Sequence, residues 1–148
     1  MKLLVAFDRE DHTVLALDKA IEVAVAEEAD VTVLSVVPPS ARGSKSGGHM
    51  DLPPHADKDV AYAEKYLGDR GVQAETKVAQ GHPADEILQE ARAGDYDVIV
   101  VGTRELGPVV GLLLGSVSRK VVHDAPCPVI VAGKSGSKRM EPKAITPA

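Results

Sequence analysis

Short apolar runs recur along the chain, and most of them are continuous rather than alternating. Residues 2–7, 31–37, 97–101 and 128–132 consist mainly of β-branched and aliphatic side chains, the pattern of strands buried on both faces. Residues 72–78 alternate apolar and polar positions instead, which predicts a half-exposed strand at a sheet edge. The hydrophobic pattern therefore predicts five strands.

Between these strands, apolar positions recur at the spacing of helices. The predicted helices cover residues 12–28, 57–69, 83–92 and 116–124. Pro83 suits the first position of the third helix, and Ser116 is predicted as the N-cap of the fourth. This alternation indicates an α/β fold, a single doubly wound domain. Right-handed crossovers favour a five-stranded parallel sheet of order 3-2-1-4-5 with helices on both faces.

Residues 1–133 contain all of these elements and are predicted to form one domain. Residues 38–56 are rich in Pro, Gly and Ser and predict a long flexible loop, whereas the polar tail 134–148 predicts disorder. The predicted order places the last strand at a sheet edge, although it is apolar on both faces. Such an edge invites pairing, so we expect a homodimer through Pro128–Ala132, with cover by the tail or a helix as the alternative.

Composition excludes several classes of function. The net charge of −5 argues against a nucleic-acid partner, and with 3% aromatic residues and no Trp no base-stacking platform is expected. No apolar run is long enough to cross a membrane, and no export signal is evident. The single cysteine cannot form a disulfide within the chain. These observations predict a cytoplasmic protein. The histidines and Cys127 lack metal-ligand spacing, and no catalytic residues can be assigned.

The sheet order points to a ligand site. In a doubly wound sheet, ligands bind beyond the carboxyl ends of the strands where the winding reverses, here between the first and fourth strands. This places Asp8 beside the segment GTRELGPVVGLLLGSVSRKV, residues 102–121. Gly102 ends a strand, and Gly115–Ser116 opens a helix whose free N–H groups suit an anion. An ordinary strand–turn–helix, with Asp8 holding its own loop in an Asx-turn, is the alternative.

Residues 1–133 resemble the universal stress protein family. The similar segments are LLVAFDREDHTVLALDKAIEVA, VTVLSVV, GHPADEILQEA and YDVIVVGTRELGPVVGLLLGSVSRKVVHDAPCPVIVA. One branch of that family binds ATP through the pattern G-x2-G-x9-G-(S/T), and its members usually form dimers through the last strand. The resemblance implies that the nucleotide-binding residues are Ala6, Phe7, Asp8, Val36, Gly102, Arg104, Gly115, Ser116 and Val117.

One position departs from the family pattern. Glu105 stands where the middle glycine is expected, and Gly107 does not restore the spacing. A side chain there costs about 1 kcal/mol if the backbone needs positive φ, and its carboxylate repels a phosphate by about 1–4 kcal/mol. The sequence predicts a stress-response protein that binds ATP or AMP, with or without Mg²⁺, as a regulatory ligand, with at most very slow hydrolysis. The alternative is a dimeric module that Glu105 prevents from binding ATP and that acts through an unknown protein partner.

Overall fold

The computed structural model describes residues 1–8, 10–39, 54–103, 115–133 and 136–142. Its strands are β1 (Lys2–Ala6), β2 (Asp30–Val37), β3 (Ala74–Gln80), β4 (Val98–Gly102), β5 (Val129–Gly133) and β6 (Gly136–Met140). Its helices are α1 (Asp11–Glu27), α2 (Pro54–Gly68), α3 (Pro83–Ala93) and α4 (Ser116–Asp124). No helix in this part of the chain is long and apolar enough to cross a membrane.

The strands form one sheet in the order β3-β2-β1-β4-β5-β6. The first five are parallel, which confirms the predicted α/β fold and the order 3-2-1-4-5. β1 is central, with Leu3 in register with Val31 of β2 on one side and with Val98 of β4 on the other. The winding therefore reverses between β1 and β4, as a doubly wound sheet requires.

Two cores lie on opposite faces of the sheet. Leu3 and Val5 of β1 pack with α1 and α2, whereas Leu4 packs with α3 and α4. Because each central strand contributes to both cores, its sequence is continuously apolar. β3 alternates between half-buried and exposed positions, which confirms its place at the edge, although it begins at Ala74 and not at residue 72.

The prediction of a disordered tail is wrong for residues 136–140. These residues form β6, which pairs antiparallel with β5 from Gly133↔Gly136 to Val129↔Met140. β5 is therefore not the edge strand, and the open edge on which the homodimer prediction depended is covered by the chain itself. The physical cause is the same as the one on which the dimer prediction was based. The backbone N–H and C=O groups along the outer edge of β5 need hydrogen-bond partners, and β6 supplies them.

The predicted loop 38–56 is also shorter than expected. Pro54 begins α2, because proline fits the first turn of a helix, where its missing N–H costs no hydrogen bond. Residues 40–53, most of the predicted loop, lie outside the described residues.

Candidate functional site

A cavity of about 260 Å³ opens at the carboxyl edge of the sheet, at the reversal between β1 and β4. This is the position at which doubly wound sheets bind ligands. Its lining consists of Ala6, Phe7, Asp8, Thr13, Leu34, Val36, Pro83, Ile87, Val101, Gly102, Thr103, Gly115, Ser116, Val117 and Ser118. The lining is mainly apolar, with polar groups concentrated at Asp8, Thr13 and the start of α4, the composition of a small-molecule site.

The structure brings together eight of the nine residues that the resemblance assigned to a nucleotide. Ala6, Phe7, Asp8, Val36, Gly102, Gly115, Ser116 and Val117 all line the cavity. Arg104 lies outside the described residues, as does Glu105. That these side chains hold a nucleotide stays a prediction, but the topology places them around one space.

Asp8 holds its own loop and also lines the cavity. Its Oδ1 accepts a hydrogen bond from the Glu10 amide at 3.0 Å and lies 3.1 Å from Thr13 Oγ1. The Thr13 hydroxyl is also 2.8 Å from the Glu10 carbonyl oxygen, so its single hydrogen serves either acceptor. The first contact is the Asx-turn that was the alternative to a ligand role. Both contacts use Oδ1, and no hydrogen bond to Oδ2 is found among the described residues.

The start of α4 forms the opposite, polar side of the cavity. The N-cap is Gly115, not the predicted Ser116, and no side chain caps the helix. The first intrahelical bond runs from the Arg119 amide to the Gly115 carbonyl at 2.9 Å. The amides before Arg119 have no carbonyl within the helix to bond, and they bear the positive end of the helix dipole. Ser118 Oγ donates to the Gly102 carbonyl at 3.2 Å, which ties α4 to the end of β4.

Gly115 keeps this side of the cavity open. Its φ is −60°, a value that any residue adopts, so the glycine is not required by backbone strain. A Cβ built on it would meet no atom of the described chain within 4 Å. Gly115 also lines the cavity, so the absence of a side chain leaves open space at the start of α4.

The apolar side of the cavity was largely missed by sequence reasoning. The unpredicted lining residues are Thr13, Leu34, Pro83, Ile87, Val101, Thr103 and Ser118. Pro83 and Ile87 belong to α3, which starts three residues after β3 ends at the same edge of the sheet. The topology predicted from sequence already placed the start of α3 there. Pro83 and Ile87 could therefore have been found from the order of elements alone.

Charge is sparse around the cavity. Among the described lining residues, Asp8 is the only one with an acidic or basic side chain. The adjoining residues Arg104 and Glu105 have opposite formal charges, which cancel. Within the described ranges no group of three or more His, Cys, Asp or Glu could hold a metal ion. The dipole of α4 is therefore the main positive feature that the described lining offers an anion.

Cys127 lies away from this cavity, packed in the core formed with α3 and α4. Burial raises the pKa of its thiol above the ordinary value, which favours the neutral form. Cys127 is a free thiol that packs in this core as a small hydrophobic side chain.

An α/β sheet with a cavity at its switch point, lined by an aspartate and by the glycine-led start of a helix, defines a doubly wound α/β protein with a candidate ligand site. The chain belongs to the universal stress protein family, whose model matches residues 1–133. It is 34% identical over 143 residues to the universal stress protein YxiE of Bacillus subtilis, covering 88% of this chain and 97% of that protein.

Solved structures show the same fold. The universal stress protein from Archaeoglobus fulgidus in complex with dAMP matches with 24% identity and a TM-score of 0.67, covering 89% of this chain and 97% of that one. A universal stress family protein from Arabidopsis thaliana with AMP bound matches with 21% identity and a TM-score of 0.64, covering 90% and 91%. At this identity the similarity establishes the fold.

Proposed function

We propose that the chain binds an adenine nucleotide, AMP or ATP, in this cavity as a regulatory ligand of a cytoplasmic stress response. The observation that supports this most directly is the juxtaposition of an apolar wall, a carboxylate and an uncapped helix start around one cavity. A nucleotide has the same three parts, since its base is flat and largely apolar on its faces, its ribose bears hydroxyls and its phosphate is an anion. Two relatives of the same fold are bound to dAMP and AMP.

Each part of such a ligand has a counterpart in the lining. Leu34 and Val36, near the end of β2, and Ile87 of α3 would bury the faces of the base. Asp8 Oδ2 would accept from a ribose hydroxyl, while Oδ1 continues to hold the turn. The amides at the start of α4 would donate to the phosphate.

The charge of the cavity lining determines whether a monophosphate or a triphosphate nucleotide should bind more tightly. A triphosphate brings several negative charges to a described lining in which Asp8 is the one acidic residue and no residue is basic. The next two residues in sequence, Arg104 and Glu105, have opposite formal charges. We therefore propose that AMP binds at least as tightly as ATP, and that Mg²⁺, brought by the phosphates of ATP, reduces the difference. The role is binding and not catalysis. The described lining contains no His, Lys or Cys, and its one carboxylate is engaged in a turn.

The test is calorimetric titration of the purified protein with adenosine, AMP and ATP–Mg²⁺ at ligand concentrations up to millimolar, together with mass spectrometry of nucleotide that co-purifies. Asp8→Asn is the informative variant. The asparagine oxygen can keep the Oδ1 contacts, whereas the amide nitrogen cannot accept from a ribose hydroxyl. We expect all three ligands to bind about 10–100-fold more weakly, since a hydrogen bond to a charged group is worth about 1.5–3 kcal/mol.

Asp11→Asn is the matched control, because Asp11 stands in the first turn of α1 but does not line the cavity. It removes the same charge and should leave affinity unchanged. Absence of heat and of any thermal shift with all three ligands would contradict nucleotide binding. That result would favour the second candidate, a module that acts by protein interaction, which the departure at Glu105 supports.

A further inference from the structure

Thr13 contacts Asp8 twice, once through the backbone and once through the carboxylate. The hydroxyl oxygen of Thr13 accepts a hydrogen bond from the Asp8 amide at 3.4 Å, and the same hydroxyl lies 3.1 Å from Asp8 Oδ1. Thr13 belongs to the first turn of α1, is buried and lines the cavity. It is therefore placed to control how Asp8 meets a ligand.

The hydroxyl hydrogen of Thr13 has two acceptors within reach. The Glu10 carbonyl oxygen lies 2.8 Å away, but it already accepts the backbone amides of Thr13 at 2.8 Å and Val14 at 3.3 Å. A carbonyl oxygen has two lone pairs, so this acceptor is satisfied without the hydroxyl. A hydrogen bond to a carboxylate is about twice as strong as one between neutral groups. The hydroxyl hydrogen is therefore best used at Asp8 Oδ1.

These contacts leave the two carboxylate oxygens of Asp8 in different states. Each oxygen offers about two lone-pair sites. Oδ1 accepts from the Glu10 amide and from the Thr13 hydroxyl, which fills both sites, whereas no described residue donates to Oδ2. A carboxylate that binds two neighbouring donors uses one oxygen for each, as in bidentate pairs. With Oδ1 filled, only one of the two neighbouring hydroxyls of a ribose has an acceptor.

We propose that Thr13 is a positioning residue that makes Asp8 recognise one ribose hydroxyl and not both. This inference rests on the proposed function, since it requires the sugar of a nucleoside to meet Asp8. The site then has a defined specificity. It binds a ribonucleoside and one of its two monodeoxy forms equally well, and it binds the other monodeoxy form weakly. Thr13 acts on the orientation and the available oxygen of Asp8, and not by contact with the sugar.

The experiment is calorimetric titration of the full-length protein with adenosine, 2′-deoxyadenosine and 3′-deoxyadenosine. For the unmodified chain, one deoxy form should match adenosine and the other should bind about 10–100-fold more weakly, the loss expected for one hydrogen bond to a charged group. Thr13→Val removes the hydroxyl at nearly constant shape and frees a site on Oδ1. Both deoxy forms should then bind more weakly than adenosine, by similar factors. Thr13→Ser keeps the hydroxyl and should retain the unmodified pattern.

Thr32→Val is the matched control for the loss of a buried threonine hydroxyl. Thr32 is buried and hydrogen-bonded to Tyr96, but it does not line the cavity. It should lower Tm without changing the order of the three affinities, which separates specificity from stability. All titrations are made at a temperature at which thermal unfolding shows every variant to be folded.

Two results overturn the role of Thr13 while leaving the proposed function intact. In the first, the unmodified chain binds adenosine but does not distinguish 2′-deoxyadenosine from 3′-deoxyadenosine. In the second, Thr13→Val keeps the pattern of the unmodified chain. A third result is different in kind, since an unmodified chain that binds none of the three ligands overturns the proposed function and this inference together.

Discussion

Two glycines, Gly115 and Gly81, allow the same small substitution to separate ligand binding from stability. Gly115 has φ −60° and open space where a Cβ would stand. Gly81 has φ +153°, and a Cβ there would clash with Glu86 Oε1 and lie 2.9 Å from Glu86 Cγ. Alanine should therefore fit at Gly115 and be strained at Gly81.

The magnitudes follow from these geometries. Gly81→Ala requires a backbone conformation that L-residues rarely adopt, at a cost of about 1–3 kcal/mol. For a domain of this size such a loss lowers Tm by about 2–12 °C. At Gly115 the poorer N-cap propensity of alanine is offset by a gain of about 0.4–1 kcal/mol from the restricted unfolded chain. Gly115→Ala should therefore leave Tm within a few degrees of the original value.

Ligand affinity should respond in the opposite way. Gly115 lines the cavity beside the start of α4, so the methyl group of Gly115→Ala would take up space where the proposed phosphate is held. Displacing one charge-assisted hydrogen bond costs about 1.5–3 kcal/mol, so AMP should bind about 10–100-fold more weakly. Adenosine has no phosphate and should bind as before. Gly81 does not line the cavity, so Gly81→Ala at a temperature where it is folded should leave both affinities unchanged.

The assays are thermal unfolding of both variants and calorimetric titration with AMP and adenosine under one buffer condition. Equal losses for AMP and adenosine in Gly115→Ala would show that the methyl group does not act at the phosphate. A larger fall in Tm for Gly115→Ala than for Gly81→Ala would refute the steric reasoning itself.

Four further outcomes test other parts of the structure. Glu105→Gly should strengthen ATP binding more than adenosine binding in calorimetry, and an equal gain would refute charge repulsion. Thr13→Val removes the hydroxyl beside Asp8 and should lower the free energy of unfolding in urea by about 1–2 kcal/mol. Thr13→Ser keeps a hydroxyl and should lower it less. Equal losses for the two variants would show that the hydroxyl does not stabilise the fold. Lys120 lowers the pKa of the Asp85 carboxyl below its ordinary value. This ion pair therefore stabilises the folded protein at pH values above the ordinary pKa of aspartate, and the stabilisation is lost as the pH falls through the lowered pKa. Lys120→Met should then reduce Tm slightly at neutral pH and not in strong acid, and an equal reduction at both would contradict this. Cys127 should react with a thiol reagent far more slowly in the folded than in the unfolded protein, and equal rates would contradict its burial.

The strand order could be predicted because the apolar runs and the helical periods alternate without interruption. That order alone placed Asp8 near Gly102 and Gly115, which lie far apart in sequence. β6 could not be predicted, because its residues have little strand preference and its pairing comes from the needs of its neighbour β5. Pro83 and Ile87 were overlooked for another reason, since they look like ordinary helix residues and gain a role only when α3 is placed at the ligand edge.

The distribution of charge connects the site to its proposed role. The described lining contains one carboxyl group, that of Asp8, and its Oδ1 is held in a turn. A site made of an apolar wall, one carboxylate and a helix start can distinguish ligands by their base and ribose and bind the phosphate weakly. Its occupancy would then follow the concentration of the ligand in the cell, which is what a sensor requires. Arg104 and Glu105 have opposite formal charges, and Glu105→Gly removes the negative one. Glu105→Gly should therefore shift preference toward ATP, and a protein that already prefers ATP before the substitution would contradict this account of the site.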